Sequence, residues 1–287
     1  MLTIGKECLQ LSLHAPGDGF YQGTRFDRSG IFDSLVFRGV DMCGRWFEKY
    51  DPFMHDAVCG PAEEFAPVGF GSAAPGGVFF KPGVGLLVRP DNSPYDRFRL
   101  YDIADEGEWT VQRDTGAVRF EHRLKGHYLY RKDIVLTGPV SFEIRHSVVP
   151  ERHLETLVYN HNFFTFGKMS TGPSRTMSFP FVPEGTWRSE YDSVAFTPSG
   201  VRFIRSLNKG ESVYSGDIHA RGQAGMPYAL ELGEPPVSVR IRGDVPVVHT
   251  VLWANHRIAC LEPYNMVSAA PGGSFCWNVE YEFDYED

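Results

Sequence analysis

From residue 98 onward the chain is written in short runs that alternate apolar and polar side chains, each closed by a turn signal. Ala117–Leu124 (AVRFEHRL) and Tyr128–Leu136 (YLYRKDIVL) alternate with a period of two around Lys125-Gly126. Asp105-Glu106-Gly107 and Asp114-Thr115-Gly116 punctuate the runs at 98–103 and 109–112 in the same way. A period of two sends successive side chains to opposite faces of a strand, and tight turns between such runs make neighbours antiparallel. The same grammar continues at 141–149 and 154–161. It resumes after residue 190 at 193–196, 201–204, 228–232, 237–241, 247–253, 256–261 and 275–283. No long window keeps a helical 3.6-residue period. The pattern predicts roughly 15 to 20 strands with few or no helices. Without a fixed repeat of propeller-blade length, that number of strands points to a large two-sheet antiparallel sandwich. No shift in composition marks a boundary, so one domain over 1–287 is expected.

The composition agrees. Aromatic residues make up 14% of the chain, and 30 Gly with 20 Pro supply turns for many short strands. A formal charge of −8 argues against nucleic acid or an anionic membrane surface as partner. The first seven residues lack a basic region leading into an apolar core, and no apolar run is long enough to span a bilayer, so a cytoplasmic location is expected. Cys8, Cys43, Cys59, Cys260 and Cys276 form no CxxC pair and read as reduced, mostly buried thiols.

Two segments interrupt the alternation. Tyr159-Asn160-His161-Asn162-Phe163-Phe164 brings three consecutive hydrogen-bonding side chains to a strand end. Such side chains need partners when buried. Those partners are either sugar hydroxyls at a concave sheet surface, where His161 can exchange a proton near neutral pH, or the chain's own backbone. In His256–Asn265 an apolar strand, Ile258-Ala259-Cys260-Leu261, delivers Glu262 just before Pro263. At the edge of the core, desolvation would raise this carboxyl toward a useful base; the alternative is an exposed strand-end glutamate. The irregular stretch 51–95, rich in Pro and Gly, is long enough to build a binding rim.

Together, Asn160-His161 and Leu261-Glu262 resemble the galactose mutarotase-like family, the aldose 1-epimerases and their relatives, in residue type, order and distance from the chain end. Ala270-Pro271-Gly272-Gly273-Ser274 before a final alternating strand, and an early Gly23-Thr24-Arg25-Phe26-Asp27-Arg28-Ser29-Gly30, extend the resemblance from about 20 to 285. The resemblance implies a β-supersandwich and anomer interconversion without metal or organic cofactor. His161 would protonate the ring oxygen while Glu262 takes the anomeric hydroxyl proton, on opposite sides of one sugar. The family carries a second histidine before the meander; this chain has Lys81 there, with His122 and His127 as candidates to take its place.

The remaining candidate substrate-binding residues are Arg25, His55, Glu64, Lys81, His122, Asn160 and Asn162. Arg25 reaches a hydroxyl or acidic sugar group, or else pairs ions between strands. His55, Glu63 and Glu64 either bind hydroxyls, one of the glutamates joining a glycosidase-like carboxylate pair, or are solvated. Trp253, at the end of an apolar run, reads as core. No metal-ligand spacing, Gly-x-Ser-x-Gly elbow or phosphate loop is present. The partner implied is a small sugar. Monomer and homodimer stay open, and so do a non-catalytic carbohydrate-binding protein and a glycoside-acting hydrolase or lyase.

Overall fold

The computed structural model describes residues 1–6, 8–223 and 226–286. Among them are 23 strands and one 3-10 turn, Phe70–Ser72. The chain opens with a four-stranded antiparallel sheet of β1 (Leu2–Lys6), β2 (Leu9–His14), β3 (Ile31–Phe37) and β4 (Val40–Asp41). After β5 (Gly60–Phe65) comes a small sheet of β6 (Val78–Lys81), β7 (Gly85–Val88) and β8 (Ile103–Asp105). The meander read from the sequence is β9 (Glu108–Arg113), β10 (Ala117–Leu124), β11 (Tyr128–Leu136) and β12 (Ser141–Pro150), each antiparallel to the next. β13 (Leu154–Phe163) then crosses to another sheet. The rest of the chain supplies β14 (Thr176–Ser178), β15 (Pro183–Glu184), β16 (Val194–Thr197), β17 (Gly200–Phe203) and β18 (Ser212–Ala220). It ends with β19 (Ala229–Glu234), β20 (Val237–Gly243), β21 (His249–Asn255), β22 (Ala259–Ala269) and β23 (Phe275–Tyr285).

Two sheets dominate. One has ten strands in the order β16-β17-β14-β19-β20-β23-β12-β11-β10-β9; the other has six, β15-β18-β21-β22-β13-β5. Phe120, Ile134, Ile144 and Tyr281 from the first share one buried apolar cluster with Val158, Leu252, Leu261 and Val267 from the second. Each such side chain removed from water contributes about 1.5–3 kcal/mol, and this shared layer holds the sheets together. An ionic cluster is set into it. Lys132 of β11 bonds Glu63 of β5, which also takes His146 Nε2 at 3.3 Å and the Asn160 amide at 2.9 Å.

Two strand expectations are corrected. The run at 98–103 is mostly loop: Asp96 Oδ1 accepts the Phe98 N–H at 2.9 Å and the Asp96 N–H donates to the Tyr101 hydroxyl, so the chain turns before β8. Glu262 is the fourth residue of an eleven-residue strand rather than its end. Pro263 is tolerated inside β22 because of where its missing N–H would point. The Tyr264 carbonyl faces β21, accepting the Val248 N–H, so the Pro263 backbone nitrogen faces β13. The β13–β22 ladder stops there, at Tyr159↔Tyr264.

Candidate functional site

Strand parity builds the site. On β13 the residues Tyr159, His161 and Phe163 share one face, and on β22 Cys260, Glu262 and Tyr264 share the same face. Carrying the β13–β22 register two residues past its last pair sets His161 opposite Glu262. Their side chains meet, His161 Nε2 lying 3.2 Å from Glu262 Oε1. With the ladder stopped, the Asn162 side-chain amide donates to the Leu261 carbonyl at 2.9 Å, holding the strands together behind the pair. The imidazole is oriented by stacking on Phe163, ring centroids 3.7 Å apart, and its Nδ1 has no hydrogen-bond partner among the described residues.

Electrostatics push the two groups apart. Burial raises the Glu262 carboxyl to about 8, against the opposing pull of Arg25 and Arg97. Burial, reinforced by the same two guanidiniums, holds the His161 imidazole well below its ordinary value. Both shifts favour the uncharged forms, so a proton held by the pair rests on Glu262 rather than on His161. With that proton on His161 instead, the pair would be in its imidazolium–carboxylate form at the same proton count.

A cavity of about 1080 Å³ opens over this pair. One wall is a cluster in which two guanidiniums share one carboxylate. Arg25 Nε donates to Glu64 at 2.7 Å and Arg25 Nη2 to the Tyr159 hydroxyl at 3.0 Å, while Tyr159 itself bonds Glu64. Arg97 lies 3.7 Å from Glu64 and donates to the Tyr159 and Tyr264 hydroxyls at 3.1 and 3.2 Å. Trp46 and Trp253 form an aromatic wall beside His161, their ring centroids 5.4 Å apart. Phe98, 57% exposed, sits at the lip 4.8 Å from the His55 ring.

Of the residues singled out in the sequence, Arg25, His55, His161 and Glu262 line the cavity. Glu64 and Lys81 lie one layer behind. Glu64 is fully engaged by its cations, and Lys81 Nζ donates to the Arg25 carbonyl at 2.6 Å and to Tyr95 at 3.0 Å, its burial lowering it to about 8. Three expectations are corrected. Asn160 and Asn162 point from the opposite face into the core, where they accept the Tyr228 and Tyr281 hydroxyls at 3.0 and 3.1 Å. His122 lies on the meander, stacked on Trp109, with Nε2 donating to the Glu106 carbonyl and Nδ1 facing Tyr128; burial lowers it to about 4. His127 packs on Phe80, also outside the cavity. His161 and Glu262 themselves stand side by side at the cavity.

Sequence reasoning missed Tyr264, Arg97, Arg188 and His249, and set Trp253 aside. Tyr264 is two residues from Glu262, so parity would have placed it. Trp253 and His249 share a face with Val251 along β21 in the same way. Arg97 and Arg188 sit in loops, where no periodicity signals direction. Among the described residues no group of three or more His, Cys, Asp or Glu side chains is placed to hold a metal ion, and no helix is long and apolar enough to cross a membrane.

No protein-family model matches the chain, and no curated protein does. Solved structures do. A galactose mutarotase-like protein from Clostridium acetobutylicum is similar over 99% of this chain and 95% of its own, with 15% identity and a TM-score of 0.57. An aldose epimerase homologue from C. elegans covers 100% and 99%, at 14% identity and 0.56. A galactose 1-epimerase from Lactobacillus acidophilus covers 99% and 94%, at 10% and 0.53. The chain has the galactose mutarotase-like fold.

Proposed function

We propose that this chain is an aldose 1-epimerase-like isomerase that interconverts sugar anomers by acid–base ring opening at His161 and Glu262. The observation that carries the reading is the buried His161–Glu262 pair in side-chain contact at the floor of a cavity walled by aromatics and hydrogen-bond donors. Ring opening takes the proton from the anomeric hydroxyl, breaks the bond between C1 and the ring oxygen, and delivers a proton to that oxygen. One group must accept and its neighbour donate. Starting from the imidazolium–carboxylate form, Glu262 takes the hydroxyl proton and His161 protonates the ring oxygen. The open aldehyde then sits over neutral His161 and protonated Glu262. Rotation about C1–C2 and the reverse transfers close the other anomer and restore the pair. Side-by-side placement suits this, because the two reacting oxygens are bonded to the same carbon. Arg25, Arg97 and the Tyr159 and Tyr264 hydroxyls are the groups we assign to holding the sugar, preorganised by Glu64.

A non-catalytic carbohydrate-binding protein is the second reading, favoured by how little of the pair is exposed: 4% for His161 and 5% for Glu262. A crystal structure with α-galactose soaked in separates the two. The enzyme reading expects the ring oxygen and anomeric hydroxyl within about 2.6–3.2 Å of His161 and Glu262. A sugar bound with C1 turned away from both would overturn it.

A further inference from the structure

The cavity has room for more than one sugar ring. A pyranose has about twelve heavy atoms, and as many waters fill roughly 360 Å³ of liquid. That is a third of the cavity's volume of about 1080 Å³. The spare room lies in a definite direction. Val251 of β21 pairs with Glu262, and β18 reaches this part of the floor at its bulge, between Ser215 and Ile218, where Gly216 lines the cavity. A Cβ at Gly216 would meet the Tyr214 ring at 3.0 Å, so glycine keeps both the floor low and that ring in place. Two strand spacings set this end roughly 10 Å from Glu262.

Arg188 stands over it. Its guanidinium lies 3.9 Å from the centre of the Tyr214 ring, and its backbone N–H donates to the Tyr214 carbonyl at 3.0 Å. The preceding residue, Trp187, is bridged to Ser215, so the cation is held by ring and backbone alike. Arg25 and Arg97, the other guanidiniums of the cavity, share Glu64. Among the described residues no carboxylate lies within ion-pair distance of Arg188. The two aspartates of the lining, Asp56 and Asp96, act on His55, beside the Arg25–Glu64 cluster. Arg188 is solvent-exposed, free to meet an anion, and a neutral sugar offers it no counter-charge.

We propose that the Arg188 end is a second subsite that takes a carboxylate or phosphate carried by the sugar, so that the substrate class is acidic sugars. The proposal rests on the sugar reading above and names its substrate. A charge-assisted contact to a guanidinium is stronger and more directional than a neutral one.

Trp46 and Trp253 line the cavity and report binding by fluorescence. Titration with galactose, galacturonate, glucose and glucose 6-phosphate at low ionic strength is expected to show an acid binding at least ten-fold more tightly than its neutral parent. Whichever acid shows the preference identifies the group read. The acid-to-neutral ratio is expected to fall toward one in Arg188→Gln and at high salt, and to be kept in part by Arg188→Lys. Equal affinity for acid and neutral parent, or a ratio that Arg188→Gln leaves unchanged, overturns the subsite while sugar binding stands. Binding of none of the four overturns both readings.

Discussion

Glu262→Gln is the most informative single change, because it removes the ionisation while nearly preserving shape. The Glu262 carboxyl ionises at about 8 in the folded protein and at an ordinary 4.5 when exposed. A group raised by folding contributes stability that is fully present below its unfolded value and is lost as pH rises through its folded one. The window here is pH 4.5 to 8. Each pH unit is worth about 1.36 kcal/mol, so the wild type loses about 3 kcal/mol by pH 7 and about 5 kcal/mol above pH 8 through this side chain. Glutamine has nothing to ionise. The variant should match the wild type within about 1 kcal/mol at pH 5 and exceed it by about 3 kcal/mol at pH 7. For a chain of this size the pH 7 gain corresponds to a Tm higher by roughly 5 °C. Urea or thermal melts of both proteins at pH 5, 7 and 9 give the test. A stability difference that stays constant across that range would refute the claim that Glu262 rests protonated.

Glu63 reports the opposite sign. Burial opposes its charge, but Lys132 and His146 outweigh that and hold it at about 2, below its ordinary 4.5. Its contribution is present above pH 4.5 and lost as pH falls toward 2, so Glu63→Gln should cost about 3 kcal/mol at pH 7, with the difference closing toward pH 2 in acid titrations of folding. Asn160→Leu should cost about 1–3 kcal/mol in urea denaturation by stranding the Tyr228 hydroxyl and leaving Glu63 Oε1 with His146 alone, as expected of a core residue. Stability equal to wild type would contradict its placement between the sheets. If anomer exchange is observed, its kcat/KM should decline above pH about 8, as Glu262 loses the shared proton, and pH-rate profiles check this limb.

Much of the scaffold was legible because strand alternation is a local property. The β10–β11 hairpin was read to the residue, since its alternating side chains and Lys125-Gly126 turn fix register and direction together. Glu262 and His161 were visible as polar interruptions of apolar strands. The expectation that Asn160 and Asn162 flank His161 in the site failed on the same physics that found the strand: neighbours on a strand cannot share a face, and only His161 shares one with Tyr159 and Phe163. The 98–103 run looked alternating but was claimed by the Asp96 turn, a side-chain-to-backbone bond that competes with ladder formation. Lys81 was expected where a sugar-binding histidine stood; tertiary packing instead buries it against the Arg25 carbonyl and Tyr95, behind the wall it supports. Arg97 and Arg188 reach the cavity from loops whose paths are set by long-range contacts, Arg97 through Tyr159 and Tyr264 and Arg188 through Tyr214.

The central claim is that the His161–Glu262 pair opens and recloses sugar rings, and polarimetry of freshly dissolved α-anomers tests it most directly. With galactose, glucose, galacturonate and glucose 6-phosphate as the panel, the wild-type protein should bring at least one sugar to anomeric equilibrium faster than buffer alone. His161→Ala and Glu262→Gln should each return the rate to the buffer value while remaining folded. Equilibration no faster than buffer for every sugar in the panel, with folded wild-type protein, would contradict the account.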